Sequence, residues 1–173
     1  FTGSKLAAEK GALVYYVGGD PKTLERVQPL LETSGKEVLF VGRVGEASII
    51  KIATNMISAA TVEILSEAYG LTTAAGIEPG RLRDALEHNA CSSPLTSMKL
   101  PAMIEKDYDT HFSLKNMFKD SQYALNLAKE FKLDLPALST TASVMFRSIQ
   151  KKNGDLDYSV LARNYQKDDL SDA

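Results

Sequence analysis

The chain has 173 residues, 44% of them hydrophobic and 24% charged, and its 20 Lys and Arg against 22 Asp and Glu leave a net charge of −2. That balance excludes intrinsic disorder and leaves no basic excess with which to hold nucleic acid or an anionic membrane. A single cysteine, Cys91, excludes an internal disulfide framework and fits a reducing, cytoplasmic location, while His88 and His111 stand too far apart for metal-ligand spacing.

The start, Phe1-Thr-Gly-Ser-Lys-Leu, has neither a Met nor an apolar signal-peptide core, and the chain is expected to be a piece of a longer protein. Ala12 to Val17 is β-branched and aromatic and predicts a strand, ended by Gly18-Gly19. Asp20 as N-cap and Pro21 at the first helical position predict a helix to about Thr33, with Leu24, Val27, Leu30 and Leu31 on one face. Glu37 to Val41 reads as a second strand. Two strands do not make a stable sheet alone, so residues 1–41 are expected to be the end of a larger sheet whose earlier strands precede Phe1.

From Gly42 onward the period is helical. One helix is predicted over residues 46–75, about 45 Å long at 1.5 Å per residue. Further helices are predicted from Pro79 to Asn89, over 113–132, over 136–152, and from an Asp157 cap to Tyr165. Pro94 and Pro101 bracket a stretch expected to be a broken helix. The fold class read from this order is mainly α: a helical bundle around one very long helix, after a small β-α-β piece. The domains are expected at 1–41 and 42–166, with a polar tail at 167–173 that holds Asp168 and Asp169. No apolar run approaches the roughly 20 residues of a membrane span.

Between Ala47 and Val62 ten of sixteen residues are apolar, which predicts a helix buried on most sides. Its one basic group is Lys51. At about 100° per residue, Ser48, Lys51, Asn55 and Ser58 share an arc of roughly 80°. Two readings stay open for this stripe. Lys51 can reach solvent along its apolar stem while Asn55 makes a packing hydrogen bond. Alternatively, burial disfavours the charged lysine, so that it can exchange a proton with a substrate oxygen that Asn55 orients. Glycines 42 and 45 would let backbone approach closely at the helix start.

The pattern Gly42-x-x-Gly45 followed by Lys51-x-x-x-Asn55 resembles the catalytic-lysine motif of the β-hydroxyacid dehydrogenase family, which includes 3-hydroxyisobutyrate dehydrogenase, tartronate semialdehyde reductase and glyoxylate/succinic semialdehyde reductase. Phe1-Thr-Gly-Ser4 is similar to the family's substrate-binding segment. The stretch Phe112 to Asp120 resembles its Phe…Lys-Asp helix start, and Gly154-Asp155-x-Asp157-Tyr158-Ser159 its segment before the last helix.

The resemblance implies that residues 1–41 are the remnant of a Rossmann sheet and that the rest is a catalytic and oligomerisation domain. It implies Lys51 as general acid/base and Asn55 holding the substrate oxygen or carboxylate. Thr2, Gly3 and Ser4 would bind the carboxylate, Phe112 and Asp120 would line the site, and Lys119 would face the cofactor. The substrate would be a small carboxylate, a β-hydroxyacid or its aldehyde acid. Phe112 with Asp120 favours glyoxylate or succinic semialdehyde. The implied cofactor is NAD or NADP, held tightly only with the first Rossmann half, since Gly-x-Gly-x-x-Gly does not occur here. A homo-oligomer, dimer or tetramer, through the long helix is implied as well. Two alternatives share the fold: a non-catalytic module, as in relatives that lost the lysine and act as chromatin-associated scaffolds, and an imine-reducing relative. Lys51 with Asn55 disfavours both.

Overall fold

A computed structural model describes residues 1–166; the polar tail expected at 167–173 lies outside the described residues. The chain divides into two compact units, Phe1–Asn55 and the part from Met56 onward.

The first unit holds α1 (Lys5–Glu9), β1 (Leu13–Gly18), α2 (Pro21–Leu31), β2 (Gly35–Gly42) and the start of α3 (Glu46–Ala74). The strands pair in parallel, Tyr15 opposite Val38 and Gly18 opposite Gly42, with α2 as the crossover. Asp20 caps α2 as its sequence predicts, accepting from the Lys22 and Thr23 amides at 3.4 and 3.1 Å. Gly18 has a steric role, since a Cβ there would lie 2.3 Å from the Arg43 carbonyl oxygen. Leu13 and Leu24 are buried, but Val27, Leu39 and Phe40 remain exposed apolar groups. The five-residue α1 was not predicted; it follows Ser4, whose carbonyl accepts from the Ala8 amide at 3.0 Å.

The second unit continues α3 and adds α4 (Pro79–Glu87), α5 (Pro94–Glu105), α6 (Leu114–Glu130) and α7 (Pro136–Ser148). A π-helical turn (Ile149–Asn153) and a 3-10 helix (Tyr158–Tyr165) follow. The core gathers Ala59, Val62, Leu65 and Tyr69 of α3 with Leu100, Met103, Leu114, Met117, Met145 and Leu161. Helix α3 packs so closely on the last segment that a Cβ at Gly70 would fall 2.3 Å from the Tyr165 Cβ.

Three local expectations are corrected. Pro101 does not break a helix; it lies inside α5, which runs unbroken from a Ser93–Thr96 capping box to a left-handed Lys106. Burial of Thr96, Lys99, Leu100 and Met103 on one face offsets the roughly 3 kcal/mol a mid-helix proline costs. Helix α7 is α-helical only to Ser148 and passes into a π-helical turn, which ends where Lys151 and the left-handed Lys152 (φ 64°) leave helical geometry. Helix α3 is less covered than expected, for within Ala47–Val62 Ile49, Ile50 and Ile57 are exposed, and Ile64 and Leu71, which continue from Ile57 at seven-residue spacing, are 61% and 73% exposed. Length and hydropathy alone would let α3 cross a membrane, which the sequence did not suggest. Its Ala59, Val62, Leu65 and Tyr69 side is instead built into the helical core.

Candidate active site

In the first unit, Lys51 and Asn55 sit one turn apart on α3, where the 3.6-residue period aligns them. The Lys51 Nζ donates to Asn55 Oδ1 at 2.8 Å; Lys51 is half-buried and Asn55 is buried. The ammonium is therefore held along the helix face by a neutral amide.

The chain start lies near this pair. The Phe1 backbone nitrogen is within electrostatic reach of the Lys51 charge. Thr2 exchanges two backbone hydrogen bonds with Val14, at 2.8 and 3.0 Å, which fixes the segment against β1. Gly3 takes φ 129° and packs so tightly that a Cβ would meet Leu13 Cδ2 at 2.8 Å. Thr2, Gly3 and Ser4 thus form an ordered bend in the same unit as Lys51 and Asn55. Of the two glycines before α3, Gly42 is approached by a side chain. A Cβ there would collide with the Glu46 carboxylate, which accepts from the Arg43 amide and Nε at 3.0 and 2.8 Å.

The other predicted residues lie in the second unit. Phe112 precedes α6, is half-buried, and sets its ring edge-on to Tyr158 with centroids 6.3 Å apart. Asp120 is 16% exposed and pairs with its neighbour Lys119 at 3.1 Å. Lys119 is 53% exposed, with its Nζ 5.6 Å from the centre of the Tyr123 ring.

Two buried polar groups escaped the sequence reading. Lys99, 4% exposed, donates to both Asp157 oxygens at 2.7 and 2.9 Å. Burial would raise the Asp157 pKa, but the Lys99 bond, the Ser159 and Phe112 amides and the Lys99 charge outweigh it and hold the carboxyl below its ordinary value. Glu63, 5% exposed, accepts a hydrogen bond from the Tyr165 hydroxyl, and its Oε2 is buried with no hydrogen-bond partner among the described residues. Burial, against the Tyr165 bond, pushes its pKa up to about 7. The available signal was a charged residue on an apolar helix face: Lys99 beside Leu100 and Met103, and Glu63 beside Val62 and Leu65.

Residues 45–165 match a family model described as NAD-binding of NADP-dependent 3-hydroxyisobutyrate dehydrogenase. Residues 1–42 match one described as the NAD binding domain of 6-phosphogluconate dehydrogenase. The chain belongs to the β-hydroxyacid dehydrogenase family.

Among the relatives of this β-hydroxyacid dehydrogenase chain is 2-hydroxy-3-oxopropionate reductase of Escherichia coli, 33% identical over 162 residues, covering 94% of the chain and 56% of the relative. Another is the chloroplastic glyoxylate/succinic semialdehyde reductase 2 of Arabidopsis thaliana, 32% identical over 162 residues, covering 92% and 45%. A solved 3-hydroxyisobutyrate dehydrogenase from Salmonella typhimurium superposes with a TM-score of 0.87 at 21% identity, covering 95% of this chain and 58% of that one, which shows the shared fold. The chain spans about half the length of the curated relatives it matches.

The family's cofactor is NAD or NADP. In this chain the β1–α2 loop does not fit the pyrophosphate. There the Asp20 carboxylate already takes the Lys22 and Thr23 amides, placing a negative charge where a phosphate needs free N–H groups.

Proposed function

We propose that this chain is the substrate-binding and oligomerisation part of an NAD(P)-dependent oxidoreductase that interconverts a small β-hydroxyacid, or hydroxy acid, and its aldehyde acid. The observation that carries the reading is the 2.8 Å bond from Lys51 Nζ to Asn55 Oδ1 on a half-buried helix face. An ammonium so held has a proton to give to a carbonyl oxygen and an amide beside it to orient that oxygen. In the reverse direction the neutral amine takes the hydroxyl proton. A bound dinucleotide would supply the hydride chemistry, giving it in reduction and taking it in oxidation. Thr2 offers a hydroxyl, and Gly3 and Ser4 offer amides, to the substrate carboxylate. The family resemblance supports assigning Phe112 and Asp120 to the substrate, which favours glyoxylate or succinic semialdehyde, and Lys119 to the cofactor. The direct test is turnover of these aldehyde acids by the full-length protein and its Lys51→Ala variant.

The boundary between Rossmann remnant and helical domain is assigned to residues 41 and 42, beside the junction of the two family matches and inside the first compact unit, with Leu39 and Phe40 exposed just before it. With no pyrophosphate cradle of its own, the 173-residue chain is expected to be inactive and to bind NADPH weakly. Calorimetry is expected to give no micromolar dissociation constant, and finding one would contradict the reading that these 173 residues hold no pyrophosphate cradle.

The heptad-spaced Ile57, Ile64 and Leu71 supply a seam for a second copy, in a dimer or tetramer. Sedimentation at tens of micromolar is expected to show an oligomer that Ile64→Lys weakens; a monomer only would contradict it. A cytoplasmic location agrees with the free, exposed thiol of Cys91.

A further inference from the structure

We infer that Lys99 and Asp157 are positioning residues for the substrate site, acting through Phe112. The inference rests on the reading that Phe112 lines that site.

Asp157 is the pin. Its Oδ2 accepts the His111 and Phe112 amides at 3.2 and 3.1 Å, and its Oδ1 accepts the Ser159 amide at 3.0 Å. Its own amide donates to the Tyr108 carbonyl at 3.0 Å, and the next amide, of Tyr158, donates to the Phe112 carbonyl at 3.1 Å. Both backbone groups of Phe112 are therefore tied to one dipeptide some 45 residues along the chain. The side chain is tied as well, because the Phe112 ring meets the Tyr158 ring edge-on.

Lys99 completes the arrangement from α5. Its Nζ holds both carboxylate oxygens and stands 4.6 Å from the centre of the Tyr158 ring. One ammonium thus faces the two groups that fix the Phe112 backbone and ring. A buried ion pair contributes little net stability compared with well-packed apolar residues, so its placement on a core face is better suited to specifying one geometry than to strengthening the fold. The cavity beside the pair, lined by Met98, His111 and Ser159 among others, is about 60 Å³. With its ammonium buried and committed to both Asp157 oxygens, Lys99 acts on substrate through the loop that it anchors.

The test uses Lys99→Met and Asp157→Asn, which keep side-chain volume and remove one charge each. Amide hydrogen exchange in the 173-residue chain is expected to speed up at least about tenfold at His111 and Phe112 while unfolding stays cooperative. In the full-length protein the KM for the aldehyde acid is expected to rise about tenfold, with the KM for NAD(P)H unchanged. Should Lys99→Met fail to fold, Asp157→Asn carries the same readouts. Unchanged exchange at His111 and Phe112 would overturn the inference, as would equal loss for both substrates. Phe112→Ala separates the two layers. If it leaves the KM for the aldehyde acid unchanged, the site reading fails. If it raises that KM while the Lys99 and Asp157 variants do not, the positioning inference fails and the site reading stands.

Discussion

Replacing Lys51 by alanine in the full-length protein is expected to lower kcat by about 10²- to 10⁴-fold, the range for loss of a general acid/base. That corresponds to about 3–5 kcal/mol of lost transition-state stabilisation. The geometry makes the loss specific. Lys51 Nζ is held at 2.8 Å by Asn55 Oδ1, so truncation removes the proton donor and leaves the orienting amide in place. The substrate carboxylate is assigned to Thr2, Gly3 and Ser4, so KM is expected to change much less than kcat. Arginine is not expected to rescue the rate, because a guanidinium keeps its proton near neutral pH. Steady-state kinetics in both directions would measure this, and unchanged turnover would remove Lys51 from the mechanism.

Stability of the chain is expected to fall as pH rises between about 4.5 and 7, by up to about 3 kcal/mol, through Glu63. Its folded pKa of about 7 lies above the ordinary 4.5, so the native state binds a proton that the unfolded chain has released. The contribution is therefore complete below pH 4.5 and lost once the pH passes 7. Burial is the cause, opposed by the Tyr165 hydroxyl; the charge of Glu67 adds to the rise and that of Arg147 reduces it. Glu63→Gln keeps an oxygen for Tyr165 and cannot ionise. Urea unfolding at several pH values is expected to show a smaller fall for Glu63→Gln than for the wild type. Equal slopes would show that Glu63 does not titrate in this window.

The elements with strong local signals were legible in the sequence. Asp20-Pro21 marks the start of α2 because the cap chemistry is contained in four residues. The period of α3 and the Asp157 cap were legible for the same reason. Pro101 misled because its cost is local while the packing that overrides it, Leu100 and Met103 in the core, is not. The burial of α3 was overstated, since apolar content shows that a face seeks cover without showing whether this chain supplies it. Within the candidate site, Lys51 and Asn55 were legible through helical spacing. Lys99 was not, because its partner Asp157 lies 58 residues away and no periodicity links them. Glu63 was passed over for the same reason, its partner Tyr165 being 102 residues distant.

The proposed chemistry depends on the Lys51 side chain being the group that carries the proton. The pH dependence of kcat in both directions, compared between wild type and Lys51→Ala, tests this most directly. Reduction is expected to slow at high pH as the ammonium loses its proton, and oxidation to slow at low pH as the amine gains one. Both limbs are expected to vanish in Lys51→Ala at the lowered rate. Limbs that persist unchanged in the variant would assign the proton to another group and contradict the account.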